Sequence, residues 1–393
     1  MRPSSVQRRV LYALVVLGLF GGAYLQTRSV PTPPVVTPQG TPEVAATGGA
    51  PLPPAPTRKL SGVGGESAAR GPGLEMLREG EERLAAYRLS TRYPPGSRPA
   101  KEHPDQMTPR VPIVRHQPLI SKGLASEDVR VQLGQDRREL VGDEVVRLWL
   151  RCEDSQSKVL PCRVPQASVM IAPASDGNVP PTATRFADDG QGGDERAEDG
   201  TLTASVQPSA LGFGQFHGPV RVQLAISIGS EQGSAFFDVM YTPEAPARFT
   251  GTVRESLVGG SLLLSLGVTV TRPGRYFVIG RIDDHHDEQV AYLEWDGMLA
   301  AGPQTVPLTV FGKLIRDQRP ELPLQLRDVE GYLFLDDSAP DRMHLPRLAG
   351  VVHQTRIYSL ADFSDAEWNS EQKQRYLEEY QKDVERAREA AHR

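Results

Sequence analysis

The sequence predicts a mainly β protein: two consecutive immunoglobulin-like β-sandwiches behind an N-terminal membrane helix and a proline-rich stalk, closed by a C-terminal α-helix. Three observations carry this reading. From Val111 onward, short runs alternate apolar and polar residues, the period of half-buried strands. Clusters rich in Gly, Pro and Asp separate those runs. The one long apolar run sits near the N-terminus, behind Arg2, Arg8 and Arg9. A chain of 393 residues has room for two or three domains.

That first run, Val10–Leu25, reads VLYALVVLGLFGGAYL, and no charge appears until Arg28. As a helix, residues 10–27 extend about 27 Å, close to a hydrocarbon core of about 30 Å. No acid precedes Glu43. Residues 1–28 are therefore expected to anchor the chain in a bacterial inner membrane, N-terminus cytoplasmic and body periplasmic. Gly21-Gly22-Ala23 keeps open a cleaved signal peptide and a secreted body. Both readings export everything beyond Arg28.

Residues 29–110 read as a disordered stalk. Nine prolines fall between Val30 and Thr57, a composition for an extended spacer rather than a core. A short amphipathic helix is expected over 74–87, with Leu74, Leu77 and Leu84 on one face and Gly80 weakening it. Residues 1–110 carry a net charge of +6 and residues 111–393 a net −11, giving −5 overall. An acidic body is no nucleic-acid surface.

The first sandwich is assigned to 111–245. Val220, Val222, Leu224, Ile226 and Ile228 alternate with Arg221, Gln223, Ala225 and Ser227, and Phe236–Tyr241 follows a Gly-rich turn. The second is assigned to 246–363, where Leu262, Leu264, Leu266, Val268 and Val270 share one face. Ser364 and Glu367 have capping-box spacing ahead of a helix over 364–393. In that helix Leu377, Tyr380, Val384, Ala387 and Ala391 form a heptad-like seam. Packing within the chain is favoured for it over self-association.

Two cysteines exclude a disulfide-dense scaffold and a four-cysteine zinc site. Cys152 and Cys162 flank a polar loop between apolar runs, and export favours a disulfide there over two independent thiols.

The densest chemical feature is residues 188–200, DDGQGGDERAEDG, with six carboxylates among thirteen residues. Asp188, Asp189, Asp194 and Asp199 are the candidate ligands for calcium, which takes six to eight oxygens. The spacing is not that of an EF-hand, and a solvated acidic loop is the alternative. The stretch FADDGQGGDERAEDGTLTASV, followed by FTGTVRESLVGGSLLLSLGVTVTRPGRYFVIGRI, VFGKLIRD and LRDVEGY, resembles the choice-of-anchor X family of exported bacterial envelope proteins over about 180–361. The resemblance implies placement at the envelope and no reaction.

Asp283-Asp284-His285-His286-Asp287 lies between two apolar runs and reads as a polar hairpin turn, with a transition-metal site as the alternative. No G-x-S-x-G, H-E-x-x-H, P-loop or G-x-G-x-x-G is present. Aromatic residues make up 6% of the chain, which argues mildly against a sugar-binding groove. The expectation is a non-enzymatic binding or scaffolding protein whose partners are the membrane, through residues 10–27, and an envelope protein or surface polymer. A subunit of a secretion or envelope-spanning complex and a hydrolase with a cryptic site are its rivals.

Overall fold

The computed structural model describes residues 72–392 apart from 110, 174 and 176. The expected anchor and the proline-rich run lie outside the described residues. Among the described residues no helix is long and apolar enough to cross a membrane. The fold is mainly β, built from sheets that are antiparallel apart from the pair of strands Glu139–Val141 and Glu231–Thr242, with a C-terminal helix.

The chain enters through α1 (Pro72–Ser90) and a short strand, β1 (Ser97–Pro99). Ten strands follow: β2 (Ile113–Ser121), β3 (Leu124–Gln135), β4 (Glu139–Val141), β5 (Val146–Asp154), β6 (Val159–Leu160), β7 (Arg163–Ile171), β8 (Thr182–Thr184), β9 (Thr201–Val206), β10 (Gly218–Ile228) and β11 (Glu231–Thr242). They form one ten-stranded sheet, β6-β5-β3-β2-β11-β10-β7-β8, with β9 on β5 and β4 on β11. Between β2 and β11 the only register pair is Ser234↔Ile120. On either side of that junction, Val131, Leu133, Leu148 and Leu150 meet Val220, Val222, Phe237 and Val239 in one core. The alternation along β10 is the cause: each even position from Val220 to Ile226 is buried and each odd one half-buried.

The second set is β12 (Ala247–Val258), β13 (Ser261–Val270), β14 (Gly274–Asp283), β15 (Gln289–Leu299), β16 (Gly302–Val310), α2 (Gly312–Gln318), β17 (Gln325–Phe334), β18 (Arg342–His344) and β19 (Leu348–Gln354). Strands β12-β13-β16 make a three-stranded sheet. The six-stranded sheet runs β1-β15-β14-β17, with β18 and β19 both on β17. Leu262, Leu264, Leu266 and Val268 of β13 pack in one core with Tyr276, Val278, Leu326 and Leu333 of the larger sheet.

Three expectations are corrected. The stalk does not reach 110, because residues 91–109 strap the second sheet. Ser97 pairs with Leu293, Tyr93 enters the core, and the Tyr93 hydroxyl donates to Asp317 at 2.8 Å. Buried Arg281 holds the Gln106 carbonyl and the Glu330 carboxylate. Secondly, α1 does not bury Leu74, which is 51% exposed. It turns Leu77, Gly80, Leu84 and Tyr87 toward the last helix, α3 (Glu371–Ala391). A Cβ at Gly80 would lie 3.3 Å from Val384 Cγ2, so this glycine sets how closely the helices approach. At the other end Tyr87 packs against Tyr376 and Tyr380, its ring tilted to both. Thirdly, α3 starts at Glu371, capped by the Ser370 hydroxyl, which accepts from Lys373 N. Ser364 and Glu367 form no capping box, since the Ser364 N–H is bound to the Gly260 carbonyl. Lys373, 4% exposed, donates to the carbonyls of Thr91 and Trp368, tying α3 to the strap.

Candidate functional site: a groove beside the acidic loop

Strand β5 sends Val146, Leu148 and Leu150 into the core, and so presents Arg147, Trp149 and Arg151 on the opposite face. Trp149 stands opposite Gly134 on β3 and Thr203 on β9. Arg151 stands opposite Gln132 and Thr201. A Cβ at Gly134 would fall inside the indole, so the ring lies against the bare β3 backbone. The Arg147 guanidinium is 5.4 Å from the Trp149 ring centroid. These side chains, Pro112 and the loop residues Gly193, Asp194, Glu195 and Asp199 enclose a groove of about 280 Å³.

The acidic loop forms the groove's outer wall, and its four aspartates each accept from backbone N–H groups. Asp188 accepts from the N–H groups of Asp199 and Gly200, Asp189 from Gln191, and Asp194 from Gly190 at 2.6 Å. Asp199 accepts from Thr201 N at 2.8 Å, and its bonds to Thr201 hold its carboxyl below the usual carboxylate range. Arg147 clamps the loop to the sheet through the Gly193 carbonyl and Glu195, 2.8 Å away. The four predicted calcium ligands thus lie in one loop but point at separate amides. Among the described residues no group of three or more His, Cys, Asp or Glu is arranged to hold a metal ion.

Cys152 and Cys162 form a disulfide, with Cα atoms 6.2 Å apart. Strand β6 pairs back on β5 just before Cys162, with Leu160 opposite Cys152, so the bridge closes the small loop that the sequence outlines. The bridge lies in the same strand as Trp149 and Arg151, three positions and one position beyond them.

Asp283–Asp287 turns the chain between β14 and β15. Asp284 accepts from the N–H groups of His286, Glu288 and Glu321. Burial acts to raise its pKa, but these three bonds outweigh burial and lower it. His286 pairs with Glu321 at 2.8 Å, and the two imidazole rings stand 5.3 Å apart and tilted.

At the junction of the β regions, His344 N donates to the Thr242 hydroxyl, and the His217 ring pairs with the Arg342 carbonyl. Burial pushes the His344 imidazole down to about 4.

Sequence reasoning missed Trp149, Arg147, Arg151 and Gln132. The signal was present: RLWLR has strand alternation with a tryptophan between two arginines on the outward side.

No family model matches this chain, and no curated protein does. Among solved structures, it is similar to a DUF4785 family protein from Legionella pneumophila at 10% identity and a TM-score of 0.38, covering 58% of this chain. It spans 56% of that protein's length. A DUF3823 family protein from Bacteroides ovatus matches at 11% identity and a TM-score of 0.19, over 51% of this chain and 96% of the other.

Proposed function

We propose that this chain is an exported, membrane-anchored, non-enzymatic binding or scaffolding protein of the bacterial cell envelope, with a body of two immunoglobulin-like sandwiches. The observation that carries the export is the Cys152–Cys162 disulfide in a body preceded by an uncharged run behind three arginines. Disulfides persist where thiols are not kept reduced, outside the bacterial cytoplasm. The resemblance of residues 180–361 to choice-of-anchor X proteins points to the same compartment. Two features support the sandwich reading. The first sheet is joined across its middle by one register pair and encloses a single core, and the second region packs a three-stranded sheet on a six-stranded one. Binding is favoured because the groove's charged groups are already engaged: Arg147 with Glu195, Arg151 with Thr201, and Asp194 and Asp199 with backbone. Groups fixed in this way orient a ligand without moving protons.

Reporter fusions placed after Pro56 test the reading. An enzyme that matures only outside the cytoplasm is expected to be active there, and one that works only inside to be silent. The reverse pattern contradicts export.

A further inference from the structure

We infer that the groove over β3, β5 and β9 binds a neutral pyranose saccharide, with Trp149 as its stacking platform. This rests on reading the groove as the ligand site of the binding protein proposed above, and it adds the ligand's chemistry. A pyranose presents C–H groups on its faces and hydroxyls around its edge. The first need a flat aromatic surface, and the second need donors and acceptors together. The groove offers both. Trp149 is half-buried, with one face seated on the Gly134 backbone, and it lines the groove. Around it stand Gln132 and Thr203 on the sheet, Arg151 beside them, and Asp194 and Asp199 on the loop.

Charge separates this ligand from its competitors. A phosphate or carboxylate ligand calls for donors alone, yet Arg147 and Arg151 are outnumbered by Asp194, Glu195 and Asp199. An apolar ligand would find only the Trp149 ring, Pro112 and threonine methyls. At about 280 Å³ the groove lies at the small end of ligand pockets, the scale of a sugar unit rather than of a large cofactor. The low aromatic content of the chain does not count against this, because one ring suffices as a platform, and Trp149, seated on the Gly134 backbone, supplies it.

The test is calorimetric titration of the full chain, held in a detergent without a sugar headgroup. The probes are the tetramer of β-1,4-linked N-acetylglucosamine, cellotetraose, maltotetraose and, as an anion, citrate. At least one saccharide is expected to bind, to weaken by about tenfold or more in Trp149→Ala, and to weaken less in Trp149→Tyr. Gln132→Ala, on the sheet surface, is expected to weaken binding without lowering the melting temperature. Three results overturn the inference: no saccharide bound at millimolar concentration by folded protein, saccharide binding indifferent to both Trp149 and Gln132, or citrate binding that Trp149→Ala abolishes while the sugars are ignored. The last keeps the groove as a binding site and discards its ligand class. The reporter fusions judge export separately.

Discussion

Residues 113–242 and residues 247–354 are both β regions of similar strand content, but they are completed differently. The first draws its core, from Leu119 to Tyr241, from its own segment and cross-links one edge through Cys152 and Cys162. The second needs residues from outside its strands. Tyr93 and Phe363 fill its core, β1 extends its larger sheet, and Arg281 and Tyr292 bind Gln106 of the strap. The lesson is a division of labour. The region with the groove is closed by local means, while the other region gathers both flanks of the chain, with α1 and α3 lying together beyond it.

The largest test of that contrast is removal of the strap. A fragment starting at residue 111 is expected to lose the cooperative melt of the second region altogether, because Tyr292, Arg281 and the β15 edge lose their cover. The first region should melt as before, and differential scanning calorimetry against a fragment starting at 72 checks this. Cys152→Ser reverses the target. Opening a loop of this length is expected to cost about 2–3 kcal/mol, in the first region alone, read as a lowered midpoint in urea. The next effect belongs to neither region but to their junction. The unfolded His344 titrates at the ordinary 6.5, and burial lowers the folded value to about 4. The unfolded chain therefore takes up the extra proton first, and stability falls as pH drops from about 6.5 to about 4, by of order 2 kcal/mol. Glu139 opposes this: burial raises its pKa, so its share of stability is present in acid and lost as pH rises. His344→Gln should flatten the acid loss in urea melts near pH 7 and near pH 5. The smallest expected effect is that of calcium. With Asp188, Asp189, Asp194 and Asp199 bonded to amides, the melting temperature in calcium and in chelator should agree within about a degree. A clear rise would mean that the loop rearranges around the ion.

What the sequence made legible follows from what strands require. The β10 and β13 stripes alternate because one face of each meets a core, and a core tolerates no slip of register. The disulfide was legible because its partners are close in sequence and flank a turn. The strap was not, since residues 91–109 carry no periodic pattern and are held by hydrogen bonds from Arg281, Tyr292 and Arg347 far along the chain. The pairing of α1 with α3 was hidden for a related reason. Gly73 and Gly80, where a Cβ would crowd Ala391 and Val384 of α3, look like weakness in an isolated helix. The acidic loop was conspicuous by composition, but composition does not say where each carboxylate finds its donor. The groove was nearly invisible because three strands and a loop converge on Trp149, and only the alternation of RLWLR announced it.

The central claim is that this body works outside the cytoplasm. Its most direct measurement is the redox state of Cys152 and Cys162 in intact cells, by thiol alkylation of the full chain before and after reduction. The account predicts no accessible thiol until the protein is denatured and reduced, and two thereafter. Two thiols alkylated in the unreduced, denatured protein would contradict it.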